Sequence, residues 1–281
     1  MKSSLLALVA VLTLSAFGLP ARAAVILNET FTDGDLAFGS DALDGNFVRQ
    51  AGATHTLSVT PDAVIGGGNA LAYSNQVNGT AVVAQMQNPA VLGPNVGDQI
   101  RFRFDFRMTA LPPSPSSSFF RFGLYSHGGG AITDGGSETN GDSGYGDNIG
   151  AGGSAGDAGW GREAGGSDAL LGGLGAGLIP TSVTLVPVDV NETSARHQIV
   201  ATITRTPTGI VLMTGFDGTP IDTASDDSPI TSFDEVAFRL IGTGAANYDN
   251  IVVETTPVPE PSVAALAALT VPLFARPRRR R

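Results

Sequence analysis

The chain has 281 residues, 26 of them acidic and 16 basic, for a formal charge of −10, and it contains no cysteine. An acidic protein of this kind is a poor partner for nucleic acid or anionic lipid. The missing thiols exclude disulfides, thiol catalysis, zinc–thiolate centres and iron–sulfur clusters.

In chain order, Met1-Lys2 is a small basic start, Leu5–Phe17 an apolar run, and Ala21-Arg22-Ala23 a small-x-small cleavage pattern. Together they predict a secretory signal peptide over residues 1–23, cut after Ala23 so that Ala24 begins the mature chain. From there the dominant period is two. Ile100–Met108 alternates without a fault, with Ile, Phe, Phe, Phe and Met on one face and Arg, Arg, Asp and Arg on the other. That pattern predicts a half-buried antiparallel strand. Val25–Phe31, His55–Thr60, Thr80–Gln87, Phe119–Tyr125, Ser182–Val188, Gln198–Arg205, Ile210–Phe216, Glu235–Ile241 and Tyr248–Val253 are further strand candidates, rich in Val, Ile, Thr and Phe. Thr206-Pro207-Thr208-Gly209 reads as a hairpin turn. The body shows no amphipathic helix of useful length. It reads as all-β, an antiparallel sandwich of roughly ten to fourteen short strands.

A glycine-, serine- and aspartate-rich stretch, about 127–178, interrupts this rhythm. Two islands in it, Tyr145–Gly150 and Trp160-Gly161-Arg162, predict short glycine-rich strands, because fifty structureless residues would sit badly in a compact domain. Its carboxylates (Asp134, Asp142, Asp147, Asp157 and Asp168) fit neither an EF-hand loop nor a calcium-binding nonapeptide repeat, and read as a solvated loop.

The chain closes with Pro259-Glu260-Pro261, an apolar run Val263–Ala275, and an end that includes Arg276 and Arg278–Arg281. Thirteen apolar residues make a helix of only about 20 Å, short for a bilayer core of about 30 Å. The arginines act as a stop-transfer flank, and the two prolines favour an extended, accessible backbone. A Pro-Glu-Pro element, a short hydrophobic helix and a basic end, in that order, resemble the PEP-CTERM sorting signal of exported bacterial proteins. The resemblance implies an exosortase-type membrane enzyme as partner, processing around Pro259, Glu260, Pro261 and Arg278, transient membrane insertion of residues 257–281, and delivery to the cell envelope or extracellular matrix. Without both end segments the body keeps nine arginines, no lysine and 25 acidic residues, a formal −16.

The body, residues 24–256, carries Asn28–Leu36 near its start and Tyr248–Val253 at its close. These resemble the paired end strands of concanavalin A-like (LamG-like) jelly rolls, which implies a jelly-roll β-sandwich. With those strands side by side, Asp33, Asp35 and Asp249, joined by Glu29, either hold a structural calcium ion or serve as turn residues. Trp160, the only tryptophan, with Tyr145 and Arg162 nearby, either forms a stacking platform for a sugar or packs under the loop as a core aromatic.

No catalytic set is expected. The paired-carboxylate strand motif of glucan hydrolases of this fold is missing, and Asp234 and Glu235, as neighbours on a strand, should face opposite ways. His55, His127 and His197 stand apart in sequence, and neither a nucleophile elbow nor a P-loop occurs. The sequence therefore predicts an exported structural or adhesive protein of the surface or its exopolysaccharide. A lectin-like glycan-binding module is the alternative, and a glycoside hydrolase is the least favoured.

Overall fold

A computed structural model describes residues 22–258 apart from 40–42, 53, 67, 76–80, 112–118, 140, 151–158, 165–169, 173–178, 187, 189, 191–192 and 194. Most of the expected signal peptide lies outside the described residues, as do Pro259, Glu260, Pro261, Arg278 and the expected C-terminal helix; so do Asp157 and Asp168. Ala23 is exposed immediately before the first strand.

The described residues form fifteen strands: β1 (Ala24–Glu29), β2 (Gly45–Arg49), β3 (Thr56–Asp62), β4 (Gly68–Asn75), β5 (Val82–Val91), β6 (Gln99–Ala110), β7 (Phe120–Ser126), β8 (Ser143–Ile149), β9 (Gly159–Ala164), β10 (Val183–Thr184), β11 (His197–Arg205), β12 (Ile210–Phe216), β13 (Thr219–Asp226), β14 (Ser232–Leu240) and β15 (Gly244–Thr256). They build two antiparallel sheets. The larger has the order β10-β13-β12-β11-β6-β15-β4-β3, with β1 also on β15; the smaller has β2-β5-β14-β7-β8-β9. The chain crosses between the sheets repeatedly, giving the all-β sandwich that the alternation predicts, with the jelly-roll form that the resemblance of the end strands implies.

β6 shows how the sandwich is held. Ile100, Phe102, Phe104, Phe106 and Met108 are all at most 1% exposed. Each such side chain contributes about 1.5–3 kcal/mol on full burial. Phe104 meets Phe122 of β7 and Phe238 of β14 at ring-centre distances of 5.4 and 5.0 Å, joining the sheets. β15 does double duty in the larger sheet. Gly244–Tyr248 pair with β4, and Ile251–Thr255 pair with β1, Ala24 lying opposite Thr255. The changeover falls at Asp249-Asn250, where the β6 register shifts and Asn250 has φ 51°.

Three strands depart from the sequence expectation: β2, β4 and β13 were not predicted, and only Val183–Thr184 of the Ser182–Val188 candidate is a strand. β4 and β13 are rich in Ala, Asn, Ser and Asp, residues with weak strand preference that ladder neighbours override. The β12–β13 hairpin turns on Asp217-Gly218, both at positive φ (47° and 81°), a pairing suited to a two-residue turn. The Thr206–Gly209 turn forms as expected, with the Thr206 amide donating to the Gly209 carbonyl at 2.9 Å.

Candidate functional site

The smaller sheet has an inner face on the main core and an outer face that the 127–142 loop and residues 170–172 cover. Strand register lays out the outer face in rows. One row runs Gln85, Glu235, Tyr125, Gly144, Glu163; the next runs Val48, Val83, Ala237, Gly123, Gly146, Gly161. A trough of small residues therefore lies beside a polar row. Ile132, Leu170 and Leu171 fill it and form a second apolar cluster with Val48, Val83, Tyr125 and Ala237. Arg121 donates to the Leu171 and Gly172 carbonyls at 2.5 and 3.2 Å, and Arg239 to the Leu170 carbonyl at 3.2 Å.

At the neck of the covering loop stand His127, just after β7, Asp142, just before β8, and Glu235 on β14. His127 Nδ1 lies 3.0 Å from Asp142 Oδ1. Asp234 accepts the His127 and Gly129 amides at 2.7 and 2.8 Å. Burial pushes the Glu235 carboxyl up to about 10, helped by the charge of Asp142, a hydrogen bond shared with it, and the charge of Asp234. Burial also raises Asp142, which His127 partly offsets. The expectation that Asp234 and Glu235 act on opposite sides fails here. A register shift in the β5 pairing falls between Phe233 and Glu235, and both carboxylates serve the loop neck. Asp142 and Asp147 are likewise no part of a solvated loop, being 8% and 0% exposed.

The residues expected to bind a ligand come together, but on the inner face. Tyr145 pairs with Arg162, and Asp147 with Trp160, across β8 and β9. The alternating Gly144, Gly146 and Gly161 face out, so the large side chains face in. Trp160 is 2% exposed and Tyr145 0%. The Tyr145 hydroxyl donates to Asp226 at 2.6 Å and accepts the Ile230 amide at 2.9 Å, while Arg162 lies 3.3 Å from Asp226. Trp160 is thus the core aromatic of the two readings, and offers no surface for a sugar ring.

The expected calcium set is divided. Asp33, Asp44 and Asp35 turn carboxylate oxygens toward Gly39, where a methyl group would meet them at 2.7, 3.1 and 3.7 Å. Glu29 stands behind them, accepting the Phe31 and Gly45 amides at 2.7 and 3.3 Å, and is pushed up to about 7 by burial and by the charges of Asp44 and Asp33. Asp249 answers to other charges. Burial raises it to about 6, and Asp105, Arg196 and Asp62 are the charged groups that act on it. Asp105 in turn accepts from Arg196 and from the Asn250 amide group, each at 2.7 Å. Asp44 was missed because nothing in its spacing joins it to Asp33 before the turn folds.

A groove of about 430 Å³ opens between residues of β2 and β3, edge strands of the two sheets, lined by Leu36, Phe47, Arg49, Thr56, Leu57 and Asp134. Its polar wall is fixed. Arg49 donates to Asp134 from Nε at 3.0 Å and from Nη2 at 2.5 Å, and the Arg49 amide donates at 2.8 Å. Both side chains remain open to solvent, 39% and 48% exposed. His55, at 2% exposed, stands edge-on to Tyr73 close by, its ring held neutral by burial and by Arg49.

No protein-family model matches the chain, and no curated protein sequence matches it. Among solved structures it is similar to a carbohydrate esterase of the Shiga toxin-encoding bacteriophage phi24B (12% identity, 84% of this chain and 100% of that one, TM-score 0.48). It is also similar to a Bacillus subtilis protein of galectin-like fold (12%, 84% and 97%, TM-score 0.46) and to peanut lectin (14%, 84% and 98%, TM-score 0.44). At such identities and TM-scores, function has to be read from this chain's own side chains.

Proposed function

We propose that the chain is an exported protein of the cell surface or its exopolysaccharide, and that its sandwich acts by binding neutral glycan in the groove between β2 and β3. The groove carries this reading. It combines apolar walls from Leu36, Phe47 and Leu57 with the Arg49–Asp134 pair, whose donors and acceptors are held in place yet reachable. Sugar recognition needs that mixture, and the volume falls in the range of small-ligand sites. The signal peptide pattern, the PEP-CTERM-like tail and the formal −16 of the body favour an outward address and a partner that is not anionic. Glycosidase chemistry is not favoured. Glu235 and Asp142 lie within 4.8 Å and are buried, whereas glycosidase carboxyl groups flank an open cleft at about 5–9.5 Å.

The test uses the chain processed by its own producing cell and passed over that cell's immobilised exopolysaccharide. Wild type is retained, and Arg49→Ala weakens retention by about tenfold or more, the worth of a hydrogen bond to a charged group. Equal retention of wild type and Arg49→Ala would remove the groove from the reading, and no retention of either would remove glycan binding. The intact mass of the same preparation lacks residues 1–23 and the apolar tail. A mature chain that still carries Arg281 contradicts the sorting part.

A further inference from the structure

At the neck of the covering loop, carboxylate oxygens are buried without an ordinary donor among the described residues. His127, Asp142 and Glu235 each offer one ligating atom, all within 4.8 Å of one another. Glu235 is fully buried, and among the described residues its oxygens meet no amide, hydroxyl or cationic donor, only the carboxyl of Asp142, whose Oδ2 also lacks such a donor. Buried carboxylate oxygens without donors are strongly disfavoured. The neighbouring groups are committed elsewhere. Asp234 is satisfied by two backbone amides. Arg121 and Arg239, the cations on this face, hold the carbonyls of residues 170–172.

We propose that His127, Asp142 and Glu235 bind one first-row divalent cation, zinc or manganese, which ties both ends of the covering loop to β14. The donor set argues for this class. Imidazole with two carboxylates suits zinc or manganese, whereas calcium takes six to eight oxygens. In a tetrahedral shell, donors at about 2.0–2.2 Å from the ion stand about 3.3–3.6 Å apart, so a pair now as far apart as 4.8 Å closes by about 1.3 Å on binding. Three protein donors leave the remaining coordination to water, and burial of Asp142 and Glu235 points to a structural role in tying the loop ends to β14. The site is separate from the carboxylates around Gly39 and from the groove, and it stands whether or not the groove binds glycan.

The experiment strips the purified protein with chelator and titrates it calorimetrically with zinc, manganese and calcium, with elemental analysis of the protein as purified. Zinc or manganese binds at one ion per chain and raises the melting midpoint. Glu235→Gln, nearly isosteric and one buried charge lighter, keeps its fold by circular dichroism, binds that ion at least about a hundredfold more weakly, and shows no metal-dependent rise in midpoint. Asp33→Asn binds it like wild type. The proposal is overturned if Glu235→Gln keeps wild-type affinity or if neither zinc nor manganese binds. It is equally overturned if calcium alone binds and Asp33→Asn abolishes that binding.

Discussion

Single residues in this chain are governed by which face of a strand they occupy. Trp160 illustrates it. The nearness of Trp160, Tyr145 and Arg162 was legible in the sequence, because they lie in two glycine-flanked islands of one stretch that read as short strands. Their direction was not read, although Gly144, Gly146 and Gly161 carry it: a residue without a side chain marks the face that something else must cover. Trp160→Ala therefore opens a cavity in the main core. It costs about 3–5 kcal/mol in urea unfolding, and exopolysaccharide retention of the folded fraction is unchanged. A stable variant that has lost retention would return Trp160 to a binding role. Glu235 was harder to see. Its partners lie 93 and 108 residues away, and only a loop folding back over the sheet joins them.

At the scale of elements, strands with a strong two-residue period were legible, and those built from Ala, Asn, Ser and Asp were not. β4 forms because β3 and β15 supply ladders on both sides, information that no local window holds. The cover of the smaller sheet is likewise non-local. Residues 170–172 carry two leucines and little else to anchor them, and Arg121 reaches their backbone carbonyls from β7. Arg121→Ala removes two charge-assisted bonds, each worth about 1.5–3 kcal/mol in favourable cases. Amide exchange at Leu170–Gly172 should then rise by about tenfold or more, while β6 and β11 stay protected. Unchanged exchange at Leu170–Gly172 would mean that apolar contact and the Arg239 bond to the Leu170 carbonyl hold the cover without Arg121.

The whole molecule is acidic and keeps several carboxyl groups inside. Burial raises Glu29 to about 7 and Asp222 and Asp249 each to about 6, above their ordinary 4.5 and 3.8. Asp147, fully buried and facing Asp222, is raised well above its ordinary value. In each case the folded state holds its proton to higher pH than the unfolded chain does. The stabilisation is complete below the unfolded pKa and is lost as pH rises through the folded one. Asp134, held down by its bond to Arg49, titrates below this window. With chelator present, the melting midpoint should fall between about pH 5 and pH 8, and Glu29→Gln should flatten part of the fall. A midpoint that climbs over the same range would show that these groups lie ionised in the folded protein. The sequence foretold the charge of the body but not that so much of it is internal, because burial is decided by partners and the chain has only nine arginines in its body to share.

The arrangement of β15 has a mechanical consequence. The strand lies between β6 on one side and β4 followed by β1 on the other, and the Val258 amide is tied to Asp98 at 2.6 Å. A pull on the C-terminal end directed along the strand axis loads the flanking ladders together in shear, whereas a pull between that end and Ala24 peels the β1–β15 ladder from its edge. The entry of the chain at Ala24 sits beside that point of load, opposite Thr255. Force applied there is carried by β15 and its neighbours, while the glycine-rich half of the smaller sheet, with its covering loop and groove wall at Asp134, stays out of the line of tension.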